Sequence, residues 1–137
     1  KGKVLVSDVS SCFLSEPMDV TKYGVIYGGV QKNIGPAGVV IVIIREDLIG
    51  NAMHITPTMF DYQIHVDNGS MYNTPPTYGI YIMKLVLEWI KEKGGIAAIQ
   101  KVNEQKAKIL YDFFFVINLN SFQIVCFECL FPTIHYC

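Results

Sequence analysis

The sequence has no excess of charge of either sign. Eleven basic residues face twelve acidic ones, for a net charge of −1. A phosphate backbone is normally met by a clustered positive face, so this balance argues against a nucleic-acid partner. There is no disulfide framework across the chain. Cys12 stands alone, and Cys126, Cys129 and Cys137 crowd into the last dozen residues. The body therefore reads as a reduced, intracellular protein. No apolar run is long enough to span a bilayer, the strongest being Val39 to Ile44, so no membrane role is expected. The start, Lys1-Gly2-Lys3, lacks a signal-peptide layout and runs straight into apolar residues, as the interior of a domain would. Internal repeats and low-complexity tracts are also missing.

What remains is enough for one domain: 137 residues, 51% hydrophobic and 17% charged. Lys3 to Asp8 is a short apolar run closed by polar residues, which predicts a buried strand with Asp8 at its carboxyl end. Ser10, Ser11 and Ser15 follow in a loop. Tyr23 to Tyr27 predicts a second strand ending at Gly28-Gly29, and Val39 to Ile44 a third. The turn between the second and third is too brief for a parallel crossover, so these two pair antiparallel. The first and second have room to be parallel. The fold class expected is α/β, a mixed sheet with flanking helices.

Downstream, Leu48 to Ala52 suggests a turn of helix. Asp61 to Val66 alternates roughly and predicts an extended segment. The polar loop Asn68 to Pro76 ends in two prolines, which suit the first turn of a helix. That helix is expected over about 77–93, with Ile80, Met83, Leu87 and Ile90 at helical spacing. Ile82, Val86 and Trp89 widen the apolar face, which implies burial on most sides with Trp89 in the core. Gly94-Gly95 terminates it, and a second helix covers about 96–112. After Asp112 the periodicity is lost.

The stretch Tyr27 to Gly38 places Lys32 among small residues between two apolar runs. A turn lysine that keeps a bend hydrated is the plain reading. Asp8 supplies another, because ligands in open α/β sheets bind outside the carboxyl ends of strands. A lysine amine forms a Schiff base with an aldehyde cofactor. Pyridoxal 5'-phosphate (PLP) also needs an acid beside its ring nitrogen, since an adjacent negative charge favours the protonated ring. A simple Asp8–Lys32 salt bridge satisfies the same spacing.

The segments Val4 to Ser11, Gly29 to Gly35 and Met71 to Pro76, followed by Leu85 to Lys91 and Gly94-Gly95, resemble successive motifs of the phosphoserine aminotransferase family. The resemblance covers about residues 1–112 and implies part of the large domain of a fold-type-I, class-V PLP-dependent transferase. It implies transfer of an amino group between glutamate and 3-phosphohydroxypyruvate, giving O-phosphoserine and 2-oxoglutarate in L-serine biosynthesis, by a cytoplasmic homodimer. Lys32 then matches the catalytic, cofactor-bearing lysine and Asp8 the partner of the pyridine nitrogen. Gln31 matches a position at the cofactor phosphate, and Ser10 a pocket position. Asn73 and Thr74 match residues that reach the phosphate of the neighbouring subunit. Amide and hydroxyl donors just before a helix suit an anion; a helix cap is the structural alternative.

The motifs cover only part of the family's pattern. Its substrate-binding histidine and arginines have no counterpart here, and residues 113–137 read as a divergent hydrophobic tail. The alternative function is a truncated, catalytically inactive chain that at most associates with a full-length subunit. Cys126, Cys129, His135 and Cys137 are poorly spaced for zinc, so no metal is expected. His54 and His65 are read as loop or surface residues, and Asn68-Gly69-Ser70 as a chance glycosylation sequon.

Overall fold

In the computed structural model, residues 2–116 are described. Strand β1, Val6–Asp8, pairs in parallel with β2, Val25–Gly29, so that Asp8 stands beside Tyr27. Strand β3, Val40–Ile44, pairs antiparallel with β2, from Val25 opposite Ile44 to Gly29 opposite Val40. The sheet order is β1-β2-β3, with both predicted pairings present. The parallel step places the carboxyl ends of β1 and β2 together, and the two loops that leave those ends are therefore neighbours.

A compact apolar cluster lies under these loops: Val9, Phe13, Ile26, Val30 and Ile34. Ile26, Val30 and Ile34 are each at most 2% exposed. Val30 and Ile34 share a side because the chain makes one helical turn between them, with the Ile34 N–H donating to the Val30 carbonyl at 3.0 Å. Four residues of helical spacing bring their side chains onto one face. Gln31 and Lys32, on the remaining sides of the turn, are exposed. Gly28 permits the close fit above the cluster, since a Cβ there would stand 2.7 Å from Phe13 Cδ2 and 3.1 Å from the Ser10 nitrogen.

Helix α1, Tyr62–Asp67, replaces the extended segment expected at Asp61–Val66. Asp61 is its N-cap, accepting from the Gln63 N–H at 3.0 Å, and Gln63 bonds Asp67 one turn later at 2.8 Å. A capping aspartate thus outweighs the weak alternation. Asn68 closes the helix, donating from Nδ2 to the Ile64 carbonyl at 2.8 Å. The turn expected at Leu48–Ala52 is a 3-10 turn slightly earlier, Glu46–Leu48.

Helix α2, Thr77–Glu92, follows the two prolines, and Gly94 and Gly95 take positive φ angles of 96° and 82° where it ends. Helix α3, Ile96–Val116, passes Asp112 without a break. Met83 and Leu87 of α2 pack on the central cluster. Burial on most sides is not found: only Gly79 and Ile90 of α2 are buried, and Trp89 is 50% exposed. Val4, Leu5 and Val6 are likewise exposed rather than a buried strand. Each of these apolar surfaces lacks a facing layer among the described residues, and periodicity alone cannot supply one. The helices that are described are not long and apolar enough to cross a membrane.

Candidate functional site

The site begins where β1 and β2 end. Asp8 Oδ1 accepts two hydrogen bonds from Ser10, from its backbone N–H at 2.9 Å and its hydroxyl at 2.6 Å. The same hydroxyl oxygen accepts from the Gly29 N–H at 3.0 Å. Ser10 therefore ties the carboxylate to the end of the adjacent strand. Its hydroxyl is the main reason that Asp8 is held below the ordinary carboxylate value of 3.8. Its backbone N–H comes next, and the positive charge of Lys32 adds a smaller pull against a modest desolvation effect. An ionised carboxylate is the form that can keep a pyridine ring protonated. Among the described residues Oδ2 takes no hydrogen bond.

Lys32 projects from the turn between Val30 and Ile34. Its Nζ donates to Ser11 Oγ at 2.8 Å, across the gap between the two loops. Asn33 Nδ2 donates to the Phe13 carbonyl at 3.1 Å and ties the lysine turn to the β1 loop a second time. Gln31 folds its amide back against Gly29. Asp8, Ser10, Gln31 and Lys32 thus gather around one end of the sheet. The sequence alone leaves Ser11 a loop residue without a role and does not point to Asn33. The signal for Ser11 was the Ser-Ser pair right after Asp8.

Asn73 and Thr74 behave differently. Both are exposed, and the bond between them, from Asn73 Nδ2 to the Thr74 carbonyl, is long at 3.4 Å. They do not cap α2: its N-cap is Pro76, which makes no side-chain cap bond. The helix-cap alternative is thereby removed. The loop is nevertheless anchored close behind, because Gly79 lies against Val39 and Pro36. Two open depressions of about 320 and 330 Å³ flank the sheet, and neither is lined by Asp8, Ser10 or Lys32.

No group of three or more potential metal ligands occurs among the described residues. Cys126, Cys129, His135 and Cys137 lie outside them.

The model of the class-V aminotransferases matches residues 1–123. The chain belongs to the class-V aminotransferase family. Phosphoserine aminotransferase of Laribacter hongkongensis is 59% identical over 110 residues, covering 80% of this chain and 31% of that protein. Among solved structures, a phosphoserine aminotransferase examined for radiation damage of its Schiff base superposes with a TM-score of 0.80 at 49% identity. It covers 84% of this chain and 32% of its own. A PLP-bound phosphoserine aminotransferase of Trichomonas vaginalis gives 0.77 at 44% identity, over 82% and 31% of the two chains. The aminotransferase chain described here thus spans about a third of the length of the curated relatives it matches. Its mixed sheet and helices are part of the large domain of a fold-type-I transferase, as the motifs implied.

Proposed function

We propose that this chain carries the cofactor-bearing part of a PLP-dependent phosphoserine transaminase. Such an enzyme exchanges the amino group of glutamate with 3-phosphohydroxypyruvate, giving O-phosphoserine and 2-oxoglutarate. The observation that carries the reading is the convergence of an ionised Asp8 and the Lys32 amine at one sheet end. The donor set fits PLP: an amine for its aldehyde, a carboxylate for its ring nitrogen, and the Gln31 amide for its phosphate. When bound, PLP supplies the aldehyde and a ring that withdraws electrons from the bonds at the substrate α-carbon.

The residues of this chain then divide the work. Lys32 Nζ is the nucleophile that anchors the cofactor, and once released it carries the proton between the substrate α-carbon and the cofactor. Asp8 keeps the ring nitrogen protonated. Ser10 holds that carboxylate in place and in its charged form. Gln31 donates to the phosphate. Asn73 and Thr74 serve the phosphate of a second subunit, so the reading includes a homodimer, and it places the enzyme in the cytoplasm. The exposure of this donor pair supports that assignment.

A second reading is a catalytically silent chain that associates with a full-length subunit. The exposure of Val4, Leu5 and Val6 favours it, since an uncovered strand edge invites pairing and a partial pocket cannot preorganise a transition state. Borohydride trapping with PLP, followed by peptide mass analysis, tests both. The first reading expects a phosphopyridoxyl adduct on the Lys32 peptide, absent in Lys32→Ala, together with amino transfer from glutamate. An adduct without transfer leaves cofactor capture and excludes catalysis by the chain alone. No adduct at Lys32 refutes the first reading.

A further inference from the structure

The hydroxyl of Ser11 bridges the β1 loop to the lysine itself. We propose that Ser11 is a positioning residue that docks the Lys32 amine at the Asp8 end of the sheet whenever that amine is not bonded to the cofactor. The proposal rests on the PLP reading above and assigns a role that neither the motif pattern nor the composition indicates.

Three features of the fold carry it. Lys32 Nζ lies 2.8 Å from Ser11 Oγ, although the two residues are 21 apart in sequence. The contact is therefore set by the parallel pairing of β1 with β2 and is not a local turn bond. Next, both loops are pinned independently of it. Ser10 bonds the Gly29 N–H at 3.0 Å, and Asn33 bonds the Phe13 carbonyl at 3.1 Å. Phe13, Val30 and Ile34 are buried on either side of the gap. The distance between the Ser11 and Lys32 backbones is thus fixed by packing, and the hydroxyl meets the amine without itself holding the loops together.

The chemistry of the hydroxyl supplies the remaining part. An amine that alternately binds a cofactor and carries a proton exists in both charged and neutral forms. As an ammonium it only donates; as a neutral amine it also accepts. A serine hydroxyl has a lone pair for the first form and a proton for the second. A carboxylate at this position would accept from either form but could not donate to the lone pair of the neutral amine, and an amide N–H would serve only the neutral amine. Ser11 can hold Nζ in the same place through both states. Held there, the amine stays at the Asp8 end of the sheet and does not swing freely, which reduces the cost of returning to the cofactor.

Two measurements on the full chain test this, with Ser11→Ala and Ser11→Thr as the variants. The first contains no cofactor. Brief reductive methylation with formaldehyde, read by peptide mass analysis, compares Lys32 with Lys84 and Lys101, which lie on α2 and α3. In Ser11→Ala the Lys32 amine loses this hydrogen bond and its methylation rises about fivefold, the size expected for one lost hydrogen bond. Lys84 and Lys101 stay unchanged, and Ser11→Thr stays at the wild-type level. The second follows the rate at which PLP is trapped on Lys32. Here Ser11→Ala is slower by about the same factor and Ser11→Thr restores the rate. These opposite directions are the signature of docking, because general loosening of the fold would raise methylation at all three lysines. Unchanged Lys32 methylation in Ser11→Ala overturns the proposal, as does a slowed trapping rate that threonine fails to restore. Failure of wild-type trapping with the methylation pattern intact refutes the PLP reading and leaves the contact between Ser11 and Lys32 established.

Discussion

The lysine end of the sheet and the Asn73–Thr74 loop are two halves of one inferred cofactor site, yet they are built in opposite ways. The first stands on buried residues and is cross-tied by Ser10, Ser11 and Asn33. Its polar groups are preorganised within this chain. The second is exposed, and the bond between its two donors is the weak local one. A group that serves its own subunit is fixed by that subunit's core. A group that serves a neighbour has to reach outward, and its ordering partner is the neighbour's ligand. The contrast predicts that damage to the first half shows in stability, and damage to the second only in cofactor binding.

The largest effect is expected under the lysine turn. Ile34→Ala removes a side chain that is 1% exposed from a small cluster. Such truncations cost about 2–5 kcal/mol, a large share of the stability of a small domain. Ile109→Ala, at a position 72% exposed on α3, should stay within about 0.5 kcal/mol. Urea melts of the two variants read the difference, and equal midpoints would show that the lysine end is no better supported than the helices.

A smaller effect belongs to Ser10→Ala. Asp8 is held below its ordinary value of 3.8 chiefly by the Ser10 hydroxyl. A carboxylate with a depressed folded-state pKa contributes stability that is fully present above its ordinary value. That contribution is lost as pH falls through the depressed one. Removal of the hydroxyl should move the Asp8 titration upward towards 3.8 and shrink this acid-dependent contribution. A carboxyl-carbon NMR titration of wild type and variant measures it. An unmoved Asp8 titration would mean that the carboxylate is not set by its own loop.

The three strands and both of their pairings were legible in the sequence, because a short turn forces antiparallel neighbours and closed apolar runs mark strands. That Asp8 and Lys32 lie at the same end of the sheet was legible too, since Asp8 closes β1 and Lys32 follows the end of β2. The contact of Lys32 with Ser11 was not, because it joins residues 21 positions apart through packing of two loops. Asp61 was misjudged because an N-cap competes with alternation over so short a segment, and the cap prevails. Trp89 and Val4 to Val6 were assigned to the interior from apolarity alone. Apolarity says that a face can be covered, not that the covering layer lies among the residues at hand.

The smallest effect on stability, and the sharpest test of the contrast, comes from Asn73→Ala with Thr74→Ala. Neither side chain caps α2 or supports the central cluster, so the double variant should melt within about 0.5 kcal/mol of wild type. Two donors to a charged phosphate would nevertheless be lost, and hydrogen bonds to charged groups are worth about 1.5–3 kcal/mol each. PLP affinity, followed by fluorescence titration, should therefore weaken by at least about a hundredfold. The weakening should grow with chain concentration, because only an associated pair can present one subunit's donors to the other's phosphate. If affinity falls equally at all concentrations, the loop serves its own subunit. If stability falls instead, the loop is structural, and the two halves of the site do not differ in kind.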